Sequence, residues 1–376
     1  MSDSVYIFAG GGTGGHLCPG LAVAPHLLRL DQDAKIVFAC SDRAIDASIL
    51  SQTPYGVVPQ AIRPMPRSLR GWGAFMKSLV TSRTLARRLV DDLRPKAVLG
   101  LGGFAAVPVV RAAAGRGVPC CLLSIDAVPG LANKTLARHT QAIFTQYEQT
   151  AAHYGRQAGR VRLIGCPVRE ELLGGTRQEA LTAFGLRPDR QTLLVMGGSL
   201  GGANVNLAIC ALRGDLEPLA DRWQILHITG NGKLEEVRCA WQGSGLNVVT
   251  AEYCHNIGQA YAAADLVLCR AGASTLGELV ALAKPSVLMP YPYHRDQQQL
   301  HNARGMVAQG SAALALDGMN VPANVQTLRQ VLCPILRQPP LLDEMRQKAA
   351  TNARADAAQR IAQWLVEAGK PSTRRP

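Results

Sequence analysis

Three glycine-rich turns and two polar clusters hold the residue types from which a phosphate- and sugar-handling site could be built. Residues 10–15 (GGGTGG) and 197–202 (GGSLGG) each follow a short apolar run and precede a helical stretch, and Gly102 and Gly103 follow a third such run. Glycine permits positive φ and leaves room for a phosphate against the backbone. A helix starting there, near Pro19 in the first case, adds unpaired N–H groups and partial positive charge. Ser199 brings a hydroxyl donor to the second turn. Any one turn can be a plain strand-to-helix connection; three in one chain make that reading hard to hold for all. Gly10, Gly12 and Gly15 also match the dinucleotide pattern, which expects an acidic residue about 20 residues further on. The nearest candidate, Asp42, comes late and is followed by Arg43, so a nicotinamide cofactor is disfavoured.

The stretch 268–278 (LCRAGASTLGE) reads as a strand end, a turn, and a helix capped by Ser274 or Thr275, with Glu278 one turn inside. A carboxylate there can accept from the two vicinal hydroxyls of a ribose. The same glutamate can equally complete a capping box. Downstream, 290–303 (PYPYHRDQQQLHNA) gathers Asp296, Gln298 and Gln299 ahead of another helix. Amides donate and accept at once, which suits pyranose hydroxyls; an exposed polar loop is the plainer alternative.

These residues need a frame. Short apolar runs at 5–9, 35–39, 57–61, 97–101, 120–125, 142–145 and 161–164, then at 192–196, 224–228, 247–251, 266–269, 286–289 and 312–316, alternate with helical stretches. Near-continuous apolar strands between helices indicate an α/β fold with parallel sheets covered on both faces. The two halves share a plan, so two Rossmann-like domains facing a cleft are expected. Glycines and Pro188 within 172–191 suit the start of the second. Residues 342–365 place Met345, Ala349, Ala353, Ala357, Ile361, Trp364 and Leu365 on one face, predicting an amphipathic helix that returns to the first domain.

Composition bounds the function. The 376 residues carry a formal net charge of +13, which favours an anionic surface or a phosphate-bearing ligand. No nucleic-acid-binding signature is present, so no nucleic-acid partner is expected. Ten cysteines without a CxxC pair read as buried thiols in a reducing compartment, with no disulfide framework or metal site. Residues 1–9 resemble no signal peptide, and no apolar run is long enough to cross a bilayer. The tail 370–376 reads as frayed and basic.

In order and spacing, GGGTGGHLCPGLAVA (10–24), GLGGFAAVP (100–108), GLANK (130–134), GCPVR (165–169), GGSLGG (197–202), RAGASTLGE (270–278) and DQQQLHNA (296–303) resemble the MurG family of UDP-N-acetylglucosamine–N-acetylmuramyl-(pentapeptide) pyrophosphoryl-undecaprenol N-acetylglucosamine transferases, over essentially the whole chain. The resemblance implies a GT-B glycosyltransferase fold. Its N-terminal domain, 1–165 joined by a C-terminal helix at about 342–366, would face acceptor and membrane; residues 166–341 would bind the UDP-sugar. It further implies that Ser199 contacts the donor diphosphate, that Ala273, Ser274, Thr275, Leu276 and Gly277 line the nucleotide pocket, and that Glu278 holds the ribose. Gln298 and Gln299 would bind the sugar, Arg169 would reach the donor, and Thr13, Gly14 and Gly15 would meet it. Gly12, Gly102 and Gly103 would hold the acceptor diphosphate. The implied reaction is inverting transfer from UDP-GlcNAc to the C4 hydroxyl of a lipid-linked muramyl-pentapeptide, at the cytoplasmic face of the inner membrane. His16 is suited to the base by its ordinary pKa, or else orients the loop or binds phosphate. No metal or other cofactor is expected.

Departures from the family pattern lie on the acceptor side. Phe104 stands where tyrosine is usual, and LSID (123–126) where HEQN is usual, leaving Ser124 at the glutamate position and Asp126, a substitute base, at the asparagine. A different acceptor, or a catalytically silent UDP-sugar-binding protein, therefore stand as alternatives. Residues 63–94 carry eight basic residues with Trp72, Phe75, Met76, Leu79 and Val80 interleaved. This fits a helix resting on an anionic membrane, or a crossover helix packing its apolar side on the sheet.

Overall fold

The structure, a computed structural model, describes residues 4–12, 14–63, 66, 71–198, 202–293 and 295–370. Two compact units divide the chain: residues up to Arg169 together with those from Asp356 onward, and Glu170–Ala355.

The apolar runs of unit 1 form a parallel sheet because neither face carries the polar alternation that solvent contact would require. Its strands are β1 (Ser4–Gly10), β2 (Ala34–Ser41), β3 (Gly56–Gln60), β4 (Ala97–Gly102), β5 (Cys120–Ser124), β6 (Ala142–Thr145) and β7 (Val161–Leu163), ordered β3-β2-β1-β4-β5-β6-β7. Helices α1 (Gly14–Leu30), α2 (Ala44–Leu50), α3 (Trp72–Leu93) and α4 (Ala106–Ala114) make the first crossovers. The order reverses between β1 and β4, where an open α/β sheet leaves a crevice at its carboxyl ends. Ala9 pairs with Gly100 but Gly10 with Gly102, so Leu101 is the extra residue of a bulge. A Cβ on Gly10 would lie 2.7 Å from that of Leu101; the bulge tolerates only glycine opposite it.

Unit 2 repeats the design with β8 (Gln191–Met196), β9 (Trp223–Ile228), β10 (Val248–Ala251), β11 (Leu266–Cys269), β12 (Ser286–Leu288) and β13 (Ala312–Leu314), ordered β10-β9-β8-β11-β12-β13 and all parallel. The reversal here lies between β8 and β11. A buried core including Val195, Ile209, Trp223, Leu268 and Leu332 backs the sheet, and the Trp223 indole donates to the Leu336 carbonyl at 3.0 Å.

Two helix expectations are corrected. α1 begins at Gly14, not near Pro19, and contains both Pro19 and Pro25. Pro19, the sixth residue, forgoes the one bond its position would make to the Gly15 carbonyl, near the helix start where few bonds depend on it. The stretch 342–365 is not one helix. Pro339–Thr351 belongs to unit 2, whereas Ala357–Ala368 belongs to unit 1, burying Ile361, Ala362 and Leu365 and setting Trp364 edge-on to Phe144 at 6.1 Å. A continuous periodicity in 345–365 cannot reveal that its two halves are covered by different cores.

Candidate functional site

In unit 1 the glycine turn, the Gly102–Gly103 pair and His16 converge at the β1/β4 reversal. Gly102 and Gly103 have φ of 95° and 73°, a backbone that side chains rarely adopt. A Cβ on Gly102 would come within 3.1 Å of the His16 ring, and one on Gly103 within 2.6 Å of the Gly11 carbonyl. The two glycines thus form the wall against which His16, third residue of α1, is packed. Burial pushes the His16 imidazole below its ordinary pKa, while Asp126 and Asp46 pull it partly back. The outcome is a neutral ring at neutral pH, able to take a proton. Asp126, half-buried just past β5, supplies the larger of the two charges that favour the imidazolium.

Asp46 went unrecognised in the sequence. Its side chain is fully buried and accepts from Gly12 N (2.7 Å), Ser41 N (3.1 Å) and Ser41 Oγ (2.6 Å). An acidic residue does follow the second strand, then, but it binds the glycine turn itself and not a ribose. The Gly12 N–H, expected on a phosphate, is committed to Asp46; the amides of Gly14 and Gly15 open α1 instead. Asn133, within GLANK, was also passed over. It is buried, donates to the Leu123 carbonyl at 3.1 Å, and keeps Oδ1 without a hydrogen bond close to Gly102. Of the departures from the family pattern, Ser124 is buried facing Tyr154, and Phe104 is exposed.

In unit 2 the two sequence clusters meet at the β8/β11 reversal. Met196 pairs with Cys269, and a Cβ on Gly202 would lie 3.2 Å from Arg270 Nε and 3.1 Å from Gly197 Cα. The helices that follow, Ala203–Ala211 and Ala273–Ala281, start side by side with Gly202 and Gly272 at their N-caps. Neither is capped by a side chain and neither has an acid in its first turn. Uncapped helix starts of this kind present free N–H groups and partial positive charge, the chemistry that suits an anion. This corrects the capping expectation: Ser274 and Thr275 lie inside the helix, not at its cap.

Glu278 is not a capping-box residue either. Its Oε2 accepts from the buried Tyr261 hydroxyl at 2.7 Å, which fixes the carboxylate at the half-exposed edge of the site. Leu276 and Gly277 are buried behind it, and Ala273, Ser274 and Thr275 are half-buried. Gln298 and Gln299 open the helix Gln298–Ala308. Gln299 Oε1 accepts from Ala271 N (3.2 Å) and Tyr291 N (2.9 Å), so this amide ties two loops together and can offer a sugar its N–H₂ end. Arg169 is exposed, the last residue of chain before unit 2. Thr13 and Ser199 lie outside the described residues, as do residues 200 and 201 of the second turn and 371–376 of the tail.

Along α3, Ser78, Ser82, Ala86 and Val90 are buried. Trp72, Met76 and Val80, spaced at i, i+4 and i+8, point outward with 40%, 48% and 58% of their surfaces exposed. The C-terminal half packs as the crossover reading expects, with Val90 buried and Leu89 and Leu93 against the core, whereas the N-terminal half packs through small residues and leaves Trp72, Met76 and Val80 outside. Phe75 is half-buried against Trp72. Leu79 is half-buried at the rim of a cavity of about 400 Å³ shared with Arg83, Arg87, Arg111 and His139.

Among the described residues no helix is long and apolar enough to cross a membrane, and no group of three or more His, Cys, Asp or Glu gathers as a metal site. Residues 6–145 match the glycosyltransferase family 28 N-terminal domain and residues 192–361 its C-terminal domain. The UDP-N-acetylglucosamine--N-acetylmuramyl-(pentapeptide) pyrophosphoryl-undecaprenol N-acetylglucosamine transferase of Thermodesulfovibrio yellowstonii is 33% identical over 356 residues, covering 94% of this chain and 96% of the relative. The protein of the same name from Myxococcus xanthus is 32% identical, covering 96% and 92%. Among solved structures, MurG of Acinetobacter baumannii superposes with a TM-score of 0.77 at 23% identity, over 97% of this chain and 99% of that one. A UDP-GlcNAc 2-epimerase from Neisseria meningitidis bound to UDP-GlcNAc follows at 0.65 and 14% identity, over 97% and 100%. Both likenesses establish the GT-B arrangement of two Rossmann-like domains.

Proposed function

The chain belongs to the MurG family within glycosyltransferase family 28, and from that premise we infer that it transfers N-acetylglucosamine from UDP-GlcNAc to undecaprenyl-pyrophosphoryl-MurNAc-pentapeptide, converting lipid I to lipid II in peptidoglycan synthesis. The observation that carries the donor half is the pair of helix starts at Gly202 and Gly272, with Glu278 one turn in and held by Tyr261. The diphosphate lies on the helix starts, and the ribose hydroxyls donate to Glu278. The sugar meets Gln298 and the N–H₂ of Gln299, and Arg169 and Ser199 add donors to the phosphates.

In the chemical step the C4 hydroxyl oxygen forms a bond to C1 of the donor sugar while the C1–O bond to UDP breaks, with inversion. The hydroxyl proton passes to His16, whose burial keeps it neutral beforehand, and Asp126 stabilises the imidazolium. The electron pair leaves on the UDP β-phosphate, where aligned helix amides receive the growing charge. Gly102 and Gly103 form the unit 1 turn that holds the acceptor diphosphate, without the Gly12 amide, which Asp46 takes.

The acceptor is a lipid, and the outward face of α3 is the surface we assign to its membrane. Trp72, Met76 and Val80 enter the interface while Lys77, Arg83, Arg87 and Arg88 meet anionic headgroups. Peripheral attachment at the cytoplasmic face agrees with a chain whose cysteines are mostly buried and unpaired. The test is release of UDP from UDP-GlcNAc with a lipid-linked muramyl-pentapeptide, with the product's added N-acetylhexosamine read by mass. UDP release with only some other acceptor would reassign the acceptor half, where Phe104, Ser124 and Asp126 depart from the family.

A further inference from the structure

We propose that Asp317 is a positioning residue for the donor site, acting through Arg270 to hold the ends of three adjacent strands and the start of the helix Ala203–Ala211. The proposal rests on the donor reading above and adds to it a residue that touches no ligand.

Asp317 lies shortly past the end of β13, and its side chain is fully buried. Oδ2 pairs with Arg270 Nη1 at 2.8 Å. Asn204, second residue of the helix after the glycine turn, donates to both oxygens at 3.1 Å. Asn324 Nδ2 and Met319 N donate to Oδ1 at 2.9 and 2.8 Å. Arg270, just past β11, also donates from Nη1 to the Met289 carbonyl at 2.9 Å, past the end of β12. Its Nε lies where a side chain on Gly202 would otherwise sit. One buried ion pair therefore joins the carboxyl ends of β11, β12 and β13 to the turn on which the diphosphate rests.

An arginine inside a phosphate-site motif invites the reading that it binds phosphate. Its burial and its partner oppose this: the side chain is 9% exposed, and its charge is already met by a carboxylate. Nor is stability a sufficient reason for the pair, because a buried ion pair is commonly no better than apolar residues of the same volume, whereas losing one partner is strongly destabilising. What the pair achieves is location. The strand-end groups it reaches lie at the ligand end of the sheet, where a displacement of about 1 Å can cost on the order of a hundredfold in productive binding or rate. Burial would raise the Asp317 carboxyl, but the bonds from Asn324, Met319 N, Arg270 and Asn204 together hold it below the usual carboxylate range, so the pair is charged at neutral pH.

The experiment compares Asp317→Asn, Arg270→Gln and the double variant with the parent, by thermal unfolding, by calorimetric titration with UDP, and by steady-state kinetics in donor and acceptor separately. Each single variant is expected to melt earlier, and the double variant to recover much of the loss, since neither charge is then left alone. UDP affinity and donor KM should worsen by about tenfold in all three, with acceptor KM unchanged. Parental UDP affinity in the double variant, or in the folded fraction of either single variant, would overturn the positioning role and leave the pair structural. A parent that fails to bind UDP would instead remove the donor reading, and this proposal with it.

Discussion

Replacing Glu278 by alanine should weaken UDP binding by about a hundredfold, and the figure follows from the site. A carboxylate can accept about four hydrogen bonds, so the Tyr261 hydroxyl at 2.7 Å and two ribose hydroxyls fit on it together. Hydrogen bonds to a charged group contribute about 1.5–3 kcal/mol each. For a half-exposed carboxylate the low end applies, giving about 3 kcal/mol for the pair, or roughly two factors of ten. The truncation has a second effect, because it leaves a buried tyrosine hydroxyl unpaired, at about 1–3 kcal/mol of stability. Tyr261→Phe in the same chain removes that complication. The measurement is a calorimetric cycle: UDP and 2′,3′-dideoxy-UDP against the Tyr261→Phe background with and without Glu278→Ala. The expected coupling is about 3 kcal/mol. If the dideoxy ligand loses the same factor as UDP, to within about 0.5 kcal/mol, the carboxylate does not hold the ribose and this assignment is wrong.

His16→Ala should lower turnover by about two to four orders of magnitude and leave UDP affinity in calorimetry near the parental value; equal turnover would reject His16 as the base. Because burial lowers the His16 pKa below its ordinary 6.5, the acid limb of kcat should fall below that pH, as a pH–rate profile would record. His227 is a second acid-side determinant. It is buried, accepts from Trp241 Nε1 at 3.2 Å through Nδ1 and bonds Asn206 Oδ1 at 3.1 Å through Nε2, so its neutral form is required, and burial drives its pKa from 6.5 to about 3. A lowered histidine pKa gives stability that is complete above 6.5 and is lost as pH falls towards 3. The slope is about 1.4 kcal/mol per pH unit; denaturant melts across that window measure it, and a His227 NMR signal titrating near 6 would contradict it. Met76→Asp with Val80→Asp should reduce binding to anionic vesicles by about tenfold or more without altering UDP affinity, and undiminished vesicle binding would move the membrane face elsewhere.

Much was legible in one dimension because its physics is local. An uninterrupted run such as Leu266–Cys269 has no polar face to give to solvent, so it announces a strand buried on both sides. A run of glycines between a strand and a helical stretch announces a tight turn at the strand's carboxyl end, because only glycine accepts that backbone freely. What resisted reading was set by partners far along the chain. Asp46 and Asp317 look like ordinary surface acids in sequence; only folding shows that one satisfies a glycine turn and the other a buried arginine. Capping chemistry at Ser274 looked sound, but the helix starts two residues earlier than that cap would set, because the turn ends at Gly272 and places Ser274 within the first turn. On α3, a basic and aromatic helix was plain from composition, whereas the side it buries was not. Periodicity counts apolar residues, and in the N-terminal half of α3 the buried positions are the small Ser78 and Ser82.

The residues alone determined two parallel α/β units, the glycine turns between strand and helix, and the family. Folding alone decided which strand ends lie together: the reversal between β8 and β11 places Gly202 against Arg270 although 67 positions of chain separate them. Strand order is a property of long-range pairing, and no local pattern of residues encodes it.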